Sequence, residues 1–170
     1  VHAGRQFREA ETGGANHMSL QVGTTAPDFE LSSHRGGHIR LSSFRSEKNA
    51  ILAFHPLAFT PVCATQMQNY ETDKVWFDTH ETCLLGISVD ATPAKAEWAK
   101  ALGGVSFDLL SDFHPHGAVA DAYGVLRDDG VSERAIFVTD KTGCVVFAKV
   151  YDIPALPDNA EVRQAIVALG

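Results

Sequence analysis

The chain has 170 residues, 45% hydrophobic and 21% charged, which is long enough to bury one sizeable core. Its formal net charge of −7 would repel nucleic-acid phosphates and anionic membrane surfaces, so neither is an expected partner. The sequence has no apolar run as long as a membrane span and no basic-then-apolar leader, which makes the cytoplasm the expected location. The three cysteines are odd in number and widely spaced, which argues against a disulfide framework and favours chemistry by a free thiol.

Residues 1–17 combine glycine with charged side chains and little apolar character, and they precede Met18. This composition predicts a disordered tail or a vector-derived remnant. Residues 18–170 are then expected to form a single folded domain.

Hydrophobic patterning over the remaining residues predicts alternating strands and helices. The first elements in chain order are a hairpin over residues 26–41 that turns at Gly36-Gly37, a buried strand over 50–54, and a helix that begins at Thr60-Pro61 and ends near Phe77. A buried strand over 83–89 and a helix that begins at Thr92-Pro93 follow. The last elements are a short helix over 117–123, strands over 135–138 and 144–148, and a helix over 160–169. The order βαβ followed by ββα, with the first pair of these strands parallel and the last pair antiparallel, is typical of an α/β thioredoxin-like fold, a central mixed sheet flanked by helices.

Cys63 is the candidate nucleophile because it lies in the first turn of the helix predicted after strand 50–54. The free N–H groups and the positive end of a helix favour an anion there, so a thiolate forms most easily at this position. The helix end contributes at most about 2 kcal/mol, so a nearby cation is also expected, and Arg134 is the candidate. The alternative is that Cys63 is a small buried core residue. The predicted inward stripe of this helix is Cys63, Met67, Tyr70 and Phe77.

A motif around Cys63 favours the catalytic interpretation. The stretch FHPLAFTPVC has the spacing Pro56-x-x-x-Thr60-x-x-Cys63, and Ser132-Glu133-Arg134 opens a later strand. Both features resemble the peroxiredoxins, the thiol-specific antioxidant and alkyl hydroperoxide reductase family, and similar segments extend over about residues 20–150. Within that family, SDFHPHG, PLAFT and the lack of a cysteine five residues after Cys63 most resemble the AhpE-like one-Cys group.

The resemblance implies a thiol-dependent peroxidase that reduces hydrogen peroxide and organic hydroperoxides in antioxidant defence and redox homeostasis. Cys63 would attack a peroxide oxygen and become a sulfenic acid. Thr60 would hydrogen-bond the thiolate and the peroxide, Pro56 would shield the pocket from water, and Arg134 would stabilise the thiolate and the transition state. The backbone around Val62 would hold substrate oxygens. The resemblance implies no cofactor or metal, an external thiol or thioredoxin-like protein as the reductant, and a homodimer.

Each of these residues also has a purely structural interpretation. Thr60 could only cap the helix, Pro56 could only shape a turn, and Arg134 could form an exposed ion pair with Glu133. His55 departs from the family, which often has an aromatic residue before the proline. We expect His55 to pack rather than to perturb the thiolate.

Cys83 and Cys144 fall in apolar strand patterns and are expected to be core residues. Cys83 is the better candidate to resolve the sulfenic acid, because its strand should lie beside the one leading into Cys63. We nevertheless predict a one-Cys mechanism with an external reductant. The eight histidines form no four-ligand pattern and predict no metal site, the closest groupings being His34 with His38, His80 with Cys83, and His114 with His116.

Two other functions would suit this fold. A thiol-disulfide oxidoreductase needs a second cysteine three positions after the first, where this chain has Gln66. An inert binding or chaperone-like module of thioredoxin fold would need neither Thr60 nor Arg134. The absence of rapid, peroxide-dependent oxidation of Cys63 would favour that module.

Overall fold

A seven-stranded mixed sheet lies at the centre of the protein in the computed structural model, which describes residues 18–170. The predicted disordered tail over residues 1–17 lies outside the described residues. The strands are β1 (Glu30–Ser33), β2 (His38–Arg40), β3 (Asn49–Phe54), β4 (Thr82–Ser88), β5 (Asp108–Ser111), β6 (Arg134–Thr139) and β7 (Val145–Tyr151). Their spatial order is β2-β1-β5-β4-β3-β6-β7, which confirms the mixed sheet expected from the sequence.

Strand β3 lies inside the sheet, and all six of its residues are buried. It pairs in parallel with β4, where Ala53 lies opposite Gly86, and antiparallel with β6, where Ala53 lies opposite Ile136. A continuous apolar strand of this kind is covered on both faces. The carboxyl ends of β3, β4 and β5 therefore meet the amino end of β6 at one side of the sheet, which we call the carboxyl edge.

Helices cover both faces of the sheet, and a short 3-10 helix spans Leu41–Phe44. The helices are α1 (Pro61–Thr79), α2 (Thr92–Ala101), α3 (Ala118–Ala122) and α4 (Asn159–Val167). One core cluster joins α1, α2 and α4 to the α1 face of the sheet, through residues that include Met67 and Trp98. A second cluster joins α3 to the opposite α3 face, through residues that include Ala120 and Phe137. Over residues 18–170, none of the helices has the length and apolarity needed to cross a membrane.

Helix α1 extends two residues beyond its predicted end near Phe77, to Thr79. Its N-terminus lies where the Thr60-Pro61 signal predicts it. The predicted inward stripe is confirmed, because all four of its side chains are fully buried: Cys63, Met67, Tyr70 and Phe77. The helix therefore presents Cys63 to the interior and not to solvent.

Strand β5 is absent from the sequence predictions. Its segment DLLS is four residues long and contains two adjacent leucines, so it shows no strand or helix period. It forms because Leu109 packs on the α1 face while Leu110 packs on the α3 face. Its backbone pairs in parallel with β4 and antiparallel with β1. These tertiary contacts stabilise a strand that local pattern does not indicate.

Candidate active site

Cys63 lies in the first turn of α1, next to the carboxyl edge. Strand β3 ends at Phe54, and residues 55–60 form the connection that we call the active-site loop. Thr60 has extended backbone dihedrals, and Pro61 follows as the first helical residue. Proline is favoured there because the first helical N–H has no intrahelical partner to lose. The local sequence thus fixes where the helix begins and where the sulfur lies.

The first turn of α1 leaves backbone donors beside the sulfur. Ala64 donates its N–H to the carbonyl oxygen of Thr60 at 2.9 Å, which is the first bond of the helix. The N–H groups of Val62 and Cys63 precede that bond and have no intrahelical acceptor. Cys63 itself is 0% exposed. The sulfur is therefore shielded from bulk water at the positive end of a helix, where an anion is stabilised.

Arg134 opens β6 at the carboxyl edge and is only 2% exposed. Its Nη1 lies 3.4 Å from Cys63 Sγ and donates to Gln66 Oε1 at 2.7 Å. Its Nε donates to the carbonyl oxygen of Ile153 at 2.9 Å. The structure thus brings the candidate cation into contact with the candidate nucleophile. Because the guanidinium is planar and bonded at two other points, its orientation toward the sulfur is fixed.

The structure contains neither the helix cap by Thr60 nor the ion pair of Arg134 with Glu133. The Thr60 hydroxyl donates to the carbonyl oxygen of Leu57 at 2.7 Å, and it does not form the hydrogen bond to the Cys63 sulfur that the family resemblance implied. Glu133 pairs with Arg127 at 3.3 Å rather than with its neighbour. Pro56 is buried in the active-site loop. None of these contacts competes with the Cys63 sulfur for the Arg134 guanidinium.

Gln66 and Tyr70 continue the polar contacts along the buried side of α1. Gln66 accepts from Arg134 and donates through Nε2 to the hydroxyl of Tyr70 at 3.1 Å. Burial raises the pKa of Tyr70, so its hydroxyl stays neutral. The neutral amide of Gln66 orients Arg134 and leaves its positive charge intact. A carboxylate at the same position would neutralise that charge. No sequence motif predicts this role for Gln66, although a spacing of three residues places it on the same side of the helix as Cys63.

His55 packs as expected and makes further contacts. It is fully buried, and its ring centroid lies 5.3 Å from that of Trp98. Its backbone carbonyl accepts from Ser132 Oγ at 2.9 Å, and its Nε2 lies 3.3 Å from Lys95 Nζ. Burial, and then the charge of Lys95, lowers the pKa of His55 well below its ordinary value, so the ring is neutral. No sequence motif predicts the contact with Lys95.

The other two cysteines lie far from Cys63. Cys83 is the second residue of β4, lies opposite Ala50, and packs against the α3-face cluster, whereas Cys63 belongs to the α1-face cluster. It is four residues, roughly 13 Å of strand, from the residue of β4 that pairs with the end of β3. Burial raises the pKa of Cys83 to about 12, which keeps it a thiol. Cys144 lies in the turn between β6 and β7, at the opposite end of β6 from Arg134.

The histidine groupings make structural contacts. His34 Nδ1 accepts from the N–H of Leu109 at 3.0 Å, His80 stacks on Trp76 with centroids 3.8 Å apart, and His116 bonds a backbone carbonyl. In the part of the chain that the structure describes, no group of three or more His, Cys, Asp or Glu residues is placed to hold a metal ion.

The fold and the site together define a class of protein. A free cysteine in the first turn of a helix contacts a buried guanidinium, and the first-turn N–H groups of Val62 and Cys63 have no intrahelical acceptor. This arrangement can stabilise a thiolate and an oxygen-rich substrate. Gln66 occupies the position where a dithiol motif needs its second cysteine. These features are typical of oxidoreductases that use a cysteine.

Comparison with known proteins identifies the family. The AhpC/TSA family profile matches residues 22–148. Alkyl hydroperoxide reductase E of Mycobacterium tuberculosis is 38% identical over 151 residues, which cover 88% of this chain and 98% of that relative. The reduced 2-Cys peroxiredoxin of Plasmodium vivax is similar in structure, with a TM-score of 0.81 and 31% identity over 87% of this chain and 81% of that chain. Mycobacterium tuberculosis AhpC, at 24% identity and a TM-score of 0.81, shares the fold over 89% of this chain and 99% of its own.

The chain belongs to the AhpC/TSA family, that is, to the peroxiredoxins. It has the thioredoxin-like fold of that family and is an oxidoreductase that reduces peroxides with thiols. The family, the fold and the activity implied by the sequence resemblance are confirmed.

Proposed function

We propose that Cys63 is the cysteine that reacts with peroxide. Its thiolate attacks one peroxide oxygen, the S–O bond forms as the O–O bond breaks, and the leaving oxygen takes a proton from solvent and departs as water or an alcohol. The sulfur becomes a sulfenic acid, and the peroxide is reduced by two electrons. The observation that carries this proposal is the 3.4 Å contact between Arg134 Nη1 and Cys63 Sγ in a site closed to bulk water.

The residues around the sulfur are proposed to bind the peroxide and to stabilise its transition state. Arg134 stabilises the thiolate and the negative charge that develops on the leaving oxygen. The N–H groups of Val62 and Cys63 donate to the peroxide oxygens. The Thr60 hydroxyl donates a hydrogen bond to the carbonyl oxygen of Leu57, so its oxygen is available to accept a hydrogen bond from the O–H of the peroxide. Pro56 is buried in the same loop and excludes water from the sulfur.

An external thiol or a thioredoxin-like protein is proposed to complete the cycle. The first thiol attacks the sulfenic acid and forms a mixed disulfide with Cys63 as water leaves, and a second thiol releases Cys63 in its reduced form. Cys83 lies on the opposite face of the sheet and stays protonated, so it is poorly placed to attack Cys63. An internal disulfide between them would require rearrangement of the backbone.

Stopped-flow oxidation of the reduced protein by hydrogen peroxide, followed by trapping of the product for mass spectrometry, tests the proposal. Cys63 is expected to react more than about 10³-fold faster than a free thiol, and the trapped product is expected to be a sulfenic acid on Cys63. Accumulation of an intramolecular disulfide of Cys63 would reject the one-Cys route. Oxidation no faster than that of a free thiol would reject the role of Cys63 and favour the inert module.

We infer that the protein forms a homodimer through the carboxyl edge. Leu57 and Phe59 in the active-site loop and Phe113 after β5 are large apolar side chains exposed at this edge. Exposed apolar side chains on adjacent loops favour protein association. Sedimentation equilibrium is expected to give a dimer, which Phe59→Glu converts to monomer, whereas Val75→Glu, on the exposed side of α1, leaves the dimer intact. A monomeric wild-type protein would contradict the inference.

We propose that the protein works in the cytoplasm. Its three cysteines are free thiols, and its cycle consumes reduced thiols, which this compartment maintains. Fractionation of the source cells tests the location, and recovery of the protein outside the cytoplasm would contradict it.

A further inference from the structure

Lys95 of α2 is fully buried although its side chain carries an amine. Lysine is almost never buried without partners, because removing an ammonium group from water is costly. Its Nζ lies 2.6 Å from Ser88 Oγ and 3.3 Å from His55 Nε2. Both partners are neutral, and neither takes part in the peroxide reaction described above. A burial this costly, beside an active site, points to a role for the residue.

Hydrogen bonds connect Lys95 to the active-site loop at two points. Ser88 Oγ lies 2.6 Å from Asp90 Oδ2, and the same carboxylate oxygen accepts the N–H of Ala58 at 2.8 Å. His55 is the first residue of the loop and contacts Lys95 directly. A protonated Lys95 donates to both Ser88 and His55, which leaves the Ser88 hydroxyl free to donate to Asp90. In that state Ser88, His55 and Asp90 each have a hydrogen-bond partner in the network.

Charged or titratable groups from several elements lie near Lys95 or near its partner His55. These are His34 from the β1–β2 turn, His55 after β3, Cys63 in α1, Asp90 after β4 and Asp112 after β5, together with Arg134 of β6, which faces His55. Burial lowers the pKa of Lys95 to about 7, and the negative charges of Asp90, Cys63 and Asp112 limit that decrease. The amine is therefore protonated below about pH 7 and neutral above it.

We propose that Lys95 is a positioning residue for the peroxide reaction: its protonated amine, acting through His55 and the Ser88–Asp90 bridge, holds the active-site loop in the arrangement that presents peroxide to Cys63. The proposal rests on the proposed role of Cys63. A neutral Lys95 amine keeps two N–H groups, one for Ser88 and one for His55, but its hydrogen bonds are no longer charge-assisted and are therefore weaker. Loss of the proton also removes a positive charge from the neighbourhood of the thiolate. Both changes slow the reaction.

The pH dependence of the second-order rate constant for hydrogen peroxide tests the proposal. We expect the wild-type rate constant to fall as pH rises through about 7, where Lys95 loses its proton. Lys95→Met is expected to remove this alkaline decrease and to lower the rate constant at acid pH about 10-fold, because the variant lacks the ammonium at every pH. Lys100→Met, at an exposed position on the same helix, is expected to behave as wild type.

Asp90→Asn provides a second measurement that does not remove Lys95. The amide oxygen still accepts from Ala58 and Ser88, but the negative charge that most favours the protonated amine is gone. The alkaline decrease is therefore expected to move to lower pH. A merely structural network would lower the rate constant equally at all pH values and would not move this decrease.

The outcomes separate this proposal from the proposed function. If wild-type Cys63 reacts rapidly but Lys95→Met and Asp90→Asn leave the pH profile unshifted, the role of Lys95 is overturned and that of Cys63 stands. If wild-type Cys63 reacts no faster than a free thiol, both are overturned.

Discussion

Replacing Cys63 with serine is expected to abolish rapid peroxide reduction, lowering the second-order rate constant by more than about 10³-fold. The serine hydroxyl is close in size to the thiol, so the buried position keeps its packing. It does not ionise near neutral pH, however, and it cannot form a sulfenic acid. Stopped-flow mixing with hydrogen peroxide measures the loss, and near-ultraviolet circular dichroism checks that the fold is retained.

Cys83→Ser and Cys144→Ser are the matched controls, because both sulfurs lie away from the carboxyl edge. Each variant is expected to react at the wild-type rate, because a substitution far from Cys63 does not couple to the reaction there. Rapid oxidation of Cys63→Ser, or loss of the rapid reaction in Cys83→Ser, would assign the nucleophile to another sulfur.

Arg134→Met is expected to lower the same rate constant by about 10²- to 10³-fold, the loss that follows removal of a charge-stabilising donor from an active site. The guanidinium contacts Cys63 Sγ, and its other partners are the neutral oxygens of Gln66 and Ile153. Its positive charge is therefore directed to the sulfur. Methionine fills much of the same volume but supplies neither the charge nor the donors. The rate constant and the ultraviolet absorbance of the thiolate measure the two effects separately.

Two further variants distinguish charge from hydrogen bonding. Arg134→Lys retains the charge but cannot bond three acceptors in the fixed geometry of a guanidinium, so an intermediate loss is expected. Thr60→Val removes a hydroxyl and no charge, so its loss should be smaller than that of Arg134→Met. If the Arg134→Met variant reacts as fast as the wild type, the contact between Arg134 and Cys63 has no catalytic role.

The position of Cys63 could be predicted because local sequence determines it. The buried run AILAF predicts a strand inside the sheet, and Thr60-Pro61 predicts the start of the helix that follows. The contact with Arg134 is different in kind, since the two residues are 71 positions apart. The chemistry of the thiolate requires a cation, but only the family resemblance gives a reason to choose Arg134, because no local pattern reports a contact over that separation.

Lys95 and β5 could not be predicted, because tertiary contacts override what their local sequences favour. A lysine in TPAKAEW is ordinarily exposed, and its burial depends on Ser88 and His55, which approach only in the folded protein. The segment DLLS becomes a strand because β4 and β1 supply its hydrogen-bond partners. In both cases the deciding groups lie far away in the chain.

The placement of Cys63 and Cys83 on opposite faces of one sheet has a kinetic consequence. On the proposed one-Cys route, each molecule keeps the two oxidising equivalents of one peroxide as a sulfenic acid until an external thiol reduces it. Reduction of the sulfenic acid by an external thiol is bimolecular, so the fraction of protein with oxidised Cys63 increases when the concentration of reductant falls. A sulfenic acid that is not reduced can be oxidised by a second peroxide molecule to a sulfinic acid, which simple thiols do not reduce. On the proposed route, the supply of reductant therefore determines how long the enzyme stays active in the presence of peroxide.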